Sequence, residues 1–197
     1  MQKAEQILQA VQKMGEKRIP LTRVYRGLFS EDLFLAAYDK IARNRGALTV
    51  GSDSETADGM NRKRIQRIIE QLRCERFNFR PARRIQIPKK SGGTRPLGIP
   101  NFTDKLVQEV LRMVLEAYYE TQFRDSSQGF RPGRGCHTAL ANLQYKFKGA
   151  AWFIEGDIRG CFDNIDHDVL MAILARDIQD GRLLNLLRMG LKAGYLE

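Results

Sequence analysis

Apolar positions recur at helical spacing from the start of the chain. Ala4, Ile7, Leu8, Val11 and Met14 share one face and predict a helix over 4–14. A basic connector with Lys17, Arg18, Arg23 and Arg26 follows. Leu33, Phe34, Ala37, Tyr38 and Ile41 form the stripe of a second helix, with Ser30 placed to cap it and Gly46 to stop it. The polar run GALTVGSDSETADG then breaks the pattern and is the best candidate for a flexible loop. A third helix is predicted over 61–76, with Ile65, Ile68, Ile69 and Leu72 inward and most arginines outward.

The period then switches from helical to alternating. In RRIQIPKKSGGTRPLGIP, alternating Ile85 and Ile87 lead into a Ser-Gly-Gly turn and Leu97 and Ile99 follow it, which predicts a hairpin over 83–100. Pro88, Pro96 and Pro100 confine it to edge or solvent-facing pairing, because proline donates nothing to a ladder. A long helix from about Thr103 carries Leu106, Val107, Val110, Leu111, Val114, Leu115 and Tyr118 inward. The Gly/Pro loop SSQGFRPGRGCHTAL runs into a helix through Leu140, Leu143 and Phe147. Next come a predicted strand, AWFIEGDI, and helices at about 167–178 and 182–192, broken at Gly181. The order is that of an α+β fold, helix-rich with a β-hairpin and a small antiparallel sheet. GLKAGYLE shows no helix stop, and the strand has no sequence-local partner. Both predict that the sheet is completed by residues beyond this chain.

Composition narrows the partners. No apolar run is long enough for a membrane helix, and the amino terminus lacks the plan of a signal peptide. Cys74, Cys136 and Cys161 are odd in number and widely spaced, fitting neither a zinc site nor a disulfide framework. A reducing cytoplasmic setting is the expectation. Net charge is +10, and the window Arg62–Arg95 holds twelve Lys/Arg against Glu70 and Glu75. A cationic stretch this concentrated points to a polyanion, although a solvated helix face would look the same.

The counterweight is WFIEGDIRGCFDNIDHD, with Asp157, Asp163, Asp166 and Asp168. Asp157 ends an apolar strand, where a rigid backbone can aim a carboxylate at a magnesium ion that keeps room for phosphate. Two-metal chemistry needs further carboxylates from elsewhere. Asp166 reads as a helix cap, and Asp168 suits the first helical turn. At the hairpin tip, Lys89, Lys90 and Arg95 could close over a triphosphate or form an ordinary basic turn. Arg131 and Arg134, among the glycines of QGFRPGRGCH, could contact a phosphodiester strand.

Taken together and in this order, RRIQIPKKSGGTRPLGIPNFTDKLVQEVL, SSQGFRPGRGCHTAL and FIEGDIRGCFDNIDHDVL closely resemble reverse transcriptases encoded by group II introns, also called intron maturases. The resemblance implies a right-hand polymerase: an N-terminal helical extension over 1–30, fingers over 31–150, and the start of the palm over 151–197. It implies that Asp157 is the first catalytic aspartate and a ligand of both Mg2+ ions, with the Ile158 carbonyl as a further metal contact. Phe162 matches the steric gate against a 2′-hydroxyl, and Lys89 and Arg95 match residues that bind the incoming triphosphate, with Lys90 left open. Implied partners are intron RNA, an RNA template, a DNA primer and deoxynucleoside triphosphates, with Arg23, Arg26, Arg62, Arg64, Arg131 and Arg134 as RNA contacts. The family's Tyr-x-Asp-Asp motif is absent, so this chain alone is expected not to polymerise. Exposed apolar palm surface would favour a homodimer. Two alternatives stand beside this reading: a non-catalytic RNA-binding splicing cofactor on the same fold, and a retron-type reverse transcriptase.

Overall fold

The computed structural model describes residues 2–90 and 92–196. Seven α-helices are described: α1 (Gln2–Glu16), α2 (Glu31–Ala42), α3 (Arg62–Arg73), α4 (Phe102–Tyr119), α5 (Cys136–Lys146), α6 (His167–Asp177) and α7 (Gly181–Lys192). Three strands accompany them: β1 (Ala82–Pro88), β2 (Thr94–Ile99) and β3 (Tyr195–Leu196).

The helical stripes fold as their spacing predicts. Leu33, Phe34 and Ala37 of α2, Ile65 to Leu72 of α3, and Leu106 to Tyr118 of α4 merge into one buried core. That core also takes in Leu21, Tyr25 and Leu28 from the basic connector, and Ile178, Leu183 and Leu186 near α7. Asparagines cap two helices: Asn61 Oδ1 accepts from Arg64 N–H at 3.0 Å, and Asn101 Oδ1 accepts from Asp104 N–H at 2.7 Å. Ser30 occupies the cap position of α2 but makes no capping bond, and its Oγ is buried without a partner.

A clasp joins the two ends of the chain. Leu21 N–H donates to Asp177 O at 2.8 Å, and Gln179 N–H donates to Leu21 O at 2.9 Å. Beside it, Tyr25 N–H donates to the buried carboxylate of Asp180 at 2.9 Å. Asp180 also caps α7, accepting from Leu183 N–H.

The predicted hairpin forms, and its register sets Ile85 opposite Leu97 but Ile87 opposite Arg95 and Ile99 opposite Arg83. Ser91 of its turn lies outside the described residues. Lys89 N–H donates to Gly93 O at 3.0 Å and closes the turn. β2 is an edge strand, so Pro96 costs the sheet nothing.

Several expectations are corrected. The sheet is mixed rather than antiparallel, because β3 pairs parallel with β1 in the order β2-β1-β3. The chain end does contain a helix stop: α7 ends at Lys192, and Gly194, at φ +69°, turns the backbone into β3. AWFIEGDI is not a strand. It runs without secondary structure, and Ile154 is 93% exposed. A strand exists only by exchanging hydrogen bonds with a neighbour, and none lies beside it among the described residues. Leu140, Leu143 and Phe147 of α5 and its flank are likewise exposed instead of packed.

The polar loop over 47–60 is folded, not loose. Ala47 and Ala57 are buried against Phe102. Gly51 passes so close to Pro100 and Asn101 that a Cβ there would collide with their backbone. Its burial comes from small residues, which carry no apolar signal in sequence.

Candidate nucleic-acid and polymerase site

The acid-bearing segment builds its local shape from a turn. Asn164 N–H donates to Gly160 O at 3.0 Å, and its side-chain amide donates to Arg159 O at 3.2 Å and Gly160 O at 3.0 Å. This closes the turn on which Phe162 stands, 82% exposed. Asp166 then caps α6, accepting from Asp168 N–H at 2.8 Å and Val169 N–H at 3.0 Å. Those two donors hold its carboxyl below the usual carboxylate range. Asp168 pairs with Arg188 at 2.7 Å. Two of the four aspartates are thus engaged in helix α6. Asp157 and Asp163 are exposed and make no hydrogen bond or ion pair among the described residues.

The hairpin tip presents the opposite charge. Arg95 of β2 is directly opposed to Ile87, and Lys89, the first residue past β1, bonds across the turn to Gly93. Lys90 follows in the turn itself. No hydrogen bond, ion pair or ring contact joins Lys89 or Arg95 to Asp157 or Phe162 among the described residues. The structure therefore places both halves without bringing them together. Among the described residues no group of three His, Cys, Asp or Glu side chains could hold a metal ion. Asp157, Asp163 and the Ile158 carbonyl all belong to one short segment, and a two-magnesium centre needs carboxylates from further elements as well.

The arginines marked for RNA differ in their surroundings. Arg131 is buried: Nε and Nη2 donate to Glu120, and Nη1 donates to Arg124 O at 2.8 Å and Ser127 O at 2.9 Å. It stitches the QGFRPGRG loop to the end of α4. Arg134 pairs with Asp125 at 2.9 Å and holds that carboxyl low. Arg62 pairs with Glu31, and Arg64 pairs with Glu55. Arg23 and Arg26 line a polar cavity of about 560 Å³ with Glu75, Asp180, Arg182 and Asn185.

Charge alone hid a further group. Asp104 is 2% exposed at the start of α4, accepting from Arg80 N–H at 2.8 Å. Burial pushes its carboxyl up to about 6 against those donors. In sequence it reads as an ordinary first-turn acid.

Comparison with known proteins gives the family. Residues 87–181 match the reverse transcriptase (RNA-dependent DNA polymerase) family. The chain is 47% identical over 194 residues to the group II intron-encoded protein LtrA of Lactococcus lactis subsp. cremoris, covering 97% of this chain and 32% of that protein. It is 53% identical over 169 residues to the "Uncharacterized 91 kDa protein in cob intron" of Schizosaccharomyces pombe, covering 86% and 21% respectively. The nuclear intron maturase 1, mitochondrial, of Arabidopsis thaliana is 41% identical over 93 residues, covering 47% of this chain and 12% of that protein. The chain thus spans between a fifth and a third of the length of its first two relatives. It carries a reverse transcriptase domain over 87–181 and belongs, by likeness along nearly its whole length, with the group II intron-encoded proteins.

Proposed function

We propose that this chain forms the fingers and the start of the palm of an RNA-directed DNA polymerase that also binds its intron RNA and assists splicing. The observation that carries the reading is the hairpin tip holding Lys89 and Arg95 within a segment that matches the reverse transcriptase family. That tip offers a point charge and a guanidinium fork to a triphosphate. Asp157 contributes one carboxylate toward Mg2+, the Ile158 carbonyl a further contact, and Phe162 the gate against ribonucleotides. The remaining carboxylates come from outside this chain, so the chain alone does not extend a primer. Arg23 and Arg26 supply contacts to RNA phosphates directly, and Arg62, Arg64 and Arg134 do so by exchanging their carboxylate partners for phosphate; Arg131 acts by shaping the loop that carries Arg134. Partners are intron RNA, RNA template, DNA primer and deoxynucleoside triphosphates.

The test is a chimera in which these residues replace the matching N-terminal third of LtrA. Primer extension on an RNA template is the readout. Asp157→Ala is expected to abolish cDNA synthesis and leave RNA binding within about twofold, since one exposed carboxylate adds little to a phosphate-driven affinity. Phe162→Ala is expected to admit ribonucleotides. A chimera that binds RNA but never extends a primer favours the non-catalytic splicing cofactor instead.

A further inference from the structure

A cavity of about 460 Å³ lies between α3, the connector over 76–81 and the start of α4. Its rim carries Arg64, Arg67, Gln71, Arg76, Asn78 and Thr103, over a floor that includes Ile68 and Phe77. The arginines divide into two kinds. Arg64 is held by Glu55, and Arg80 is held by Asp53 at 2.9 Å. Arg67 and Arg76 are exposed, and their side chains make no hydrogen bond or ion pair among the described residues. Asp104, the other acid of the lining, is buried and already accepts from the Arg80 backbone. The rim therefore keeps two uncompensated guanidinium groups beside an amide pair and a hydroxyl. Nothing in the sequence separates these two arginines from the ten other cations of the basic window; only the packing shows that their neighbours are taken and they are not.

We propose that this cavity binds a phosphodiester of single-stranded RNA, with Arg67 and Arg76 as its principal contacts; the choice of RNA rests on the function proposed above. The lining is donor-rich, and guanidinium forks match phosphate oxygens in pairs. The volume falls within the range of small-ligand sites, enough for one nucleotide unit. A protein partner would need an exposed apolar anchor at the mouth, and here Ile68 and Phe77 are buried and Phe79 and Pro81 half-buried, so the lining offers no fully exposed apolar side chain. Removing Arg67 or Arg76 breaks no ion pair, so substitution should spare the fold.

The experiment uses the chain itself and a fluorescein-labelled oligouridylate, with anisotropy read across a salt series. Each cation on a single strand contributes about 0.7 to the slope of log affinity against log salt. Arg67→Gln with Arg76→Gln is expected to lower that slope by about 1.4 and weaken binding roughly tenfold at moderate salt. Arg176→Gln with Lys192→Gln removes the same charge from α6 and α7 and is expected to match wild type. Gln71→Arg, which adds a cation at the rim, is expected to steepen the slope by about 0.7. The cavity is overturned if the Arg67/Arg76 pair behaves like the control pair, if both pairs lower the slope equally, or if Gln71→Arg changes nothing. Wild-type chain that shows no salt-dependent RNA binding overturns the RNA-binding reading as well, which separates the two failures.

Discussion

In the basic window, Arg62, Arg64 and Arg80 each reach a carboxylate of another segment, on Glu31, Glu55 and Asp53. Between Trp152 and Asp163, no acidic side chain meets any partner among the described residues. The two stretches carry the chemistry of opposite charge, yet one is knitted to a core and the other projects from it. Each exposed ion pair is worth little, about 0–1 kcal/mol. What holds the basic window is the apolar stripe beneath it, from Ile65 to Leu72. The acid-bearing segment has apolar residues too, but Phe153 and Ile154 are exposed because no strand lies alongside them. A charged site inherits its rigidity from the pairing and packing of its backbone, and charge contributes afterwards.

The comparison breaks most sharply under truncation. Leu106→Ala, in the core, is expected to destabilise the chain by about 3 kcal/mol, read by urea denaturation. Ile154→Ala is expected to change stability by less than about 0.5 kcal/mol, because that side chain buries nothing. Equal losses would mean that the acid-bearing segment is packed after all.

A smaller effect comes from pH. Burial raises the Asp104 carboxyl to about 6, above the ordinary value near 4 of the unfolded chain. The folded state therefore holds this proton more tightly. Its contribution to stability is full below about pH 4 and is lost as pH rises through about 6, on the order of 2 kcal/mol in all. Asp104→Asn should remove that dependence, so the difference between the two proteins isolates it from other carboxylates. Matching pH profiles would assign the effect elsewhere.

Smaller still, Gly51→Ala should cost about 1–2 kcal/mol, because a Cβ there meets the backbone of Pro100 and Asn101. A neutral result would show that the loop over 47–60 can lift away from α4.

Much of this arrangement is written in periodicity. The stripes of α1 to α4, the hairpin and the Asp166 cap all follow from local spacing and side-chain type. Three things do not. The 47–60 loop packs through Ala47, Gly51 and Ala57, whose smallness reads as flexibility. A strand depends on a partner, which apolar residues such as Trp152 to Ile154 cannot supply for themselves. And an arginine in sequence does not say whether its charge is spent: Arg131 is enclosed by Glu120 and two carbonyls, whereas Arg67 is open. Asp157 and Phe162 stood out through the order of motifs around them, not through any geometry the residues dictate alone.

The clasp between Leu21, Tyr25 and the Asp177–Asp180 corner bears on how the molecule is made. Tyr25 and Asp180 are separated by 155 positions. On a ribosome adding about 5–20 residues per second, the early connector waits roughly 10–30 s for its partner. Until then Leu21, Tyr25 and Leu28 have no α7 to close over them. Long-range closure of this kind makes the final step of folding slow and leaves apolar surface uncovered meanwhile. Nascent chains should therefore leave this side of the connector uncovered until α7 emerges, and full protease resistance of residues 21–28 should appear only after it does.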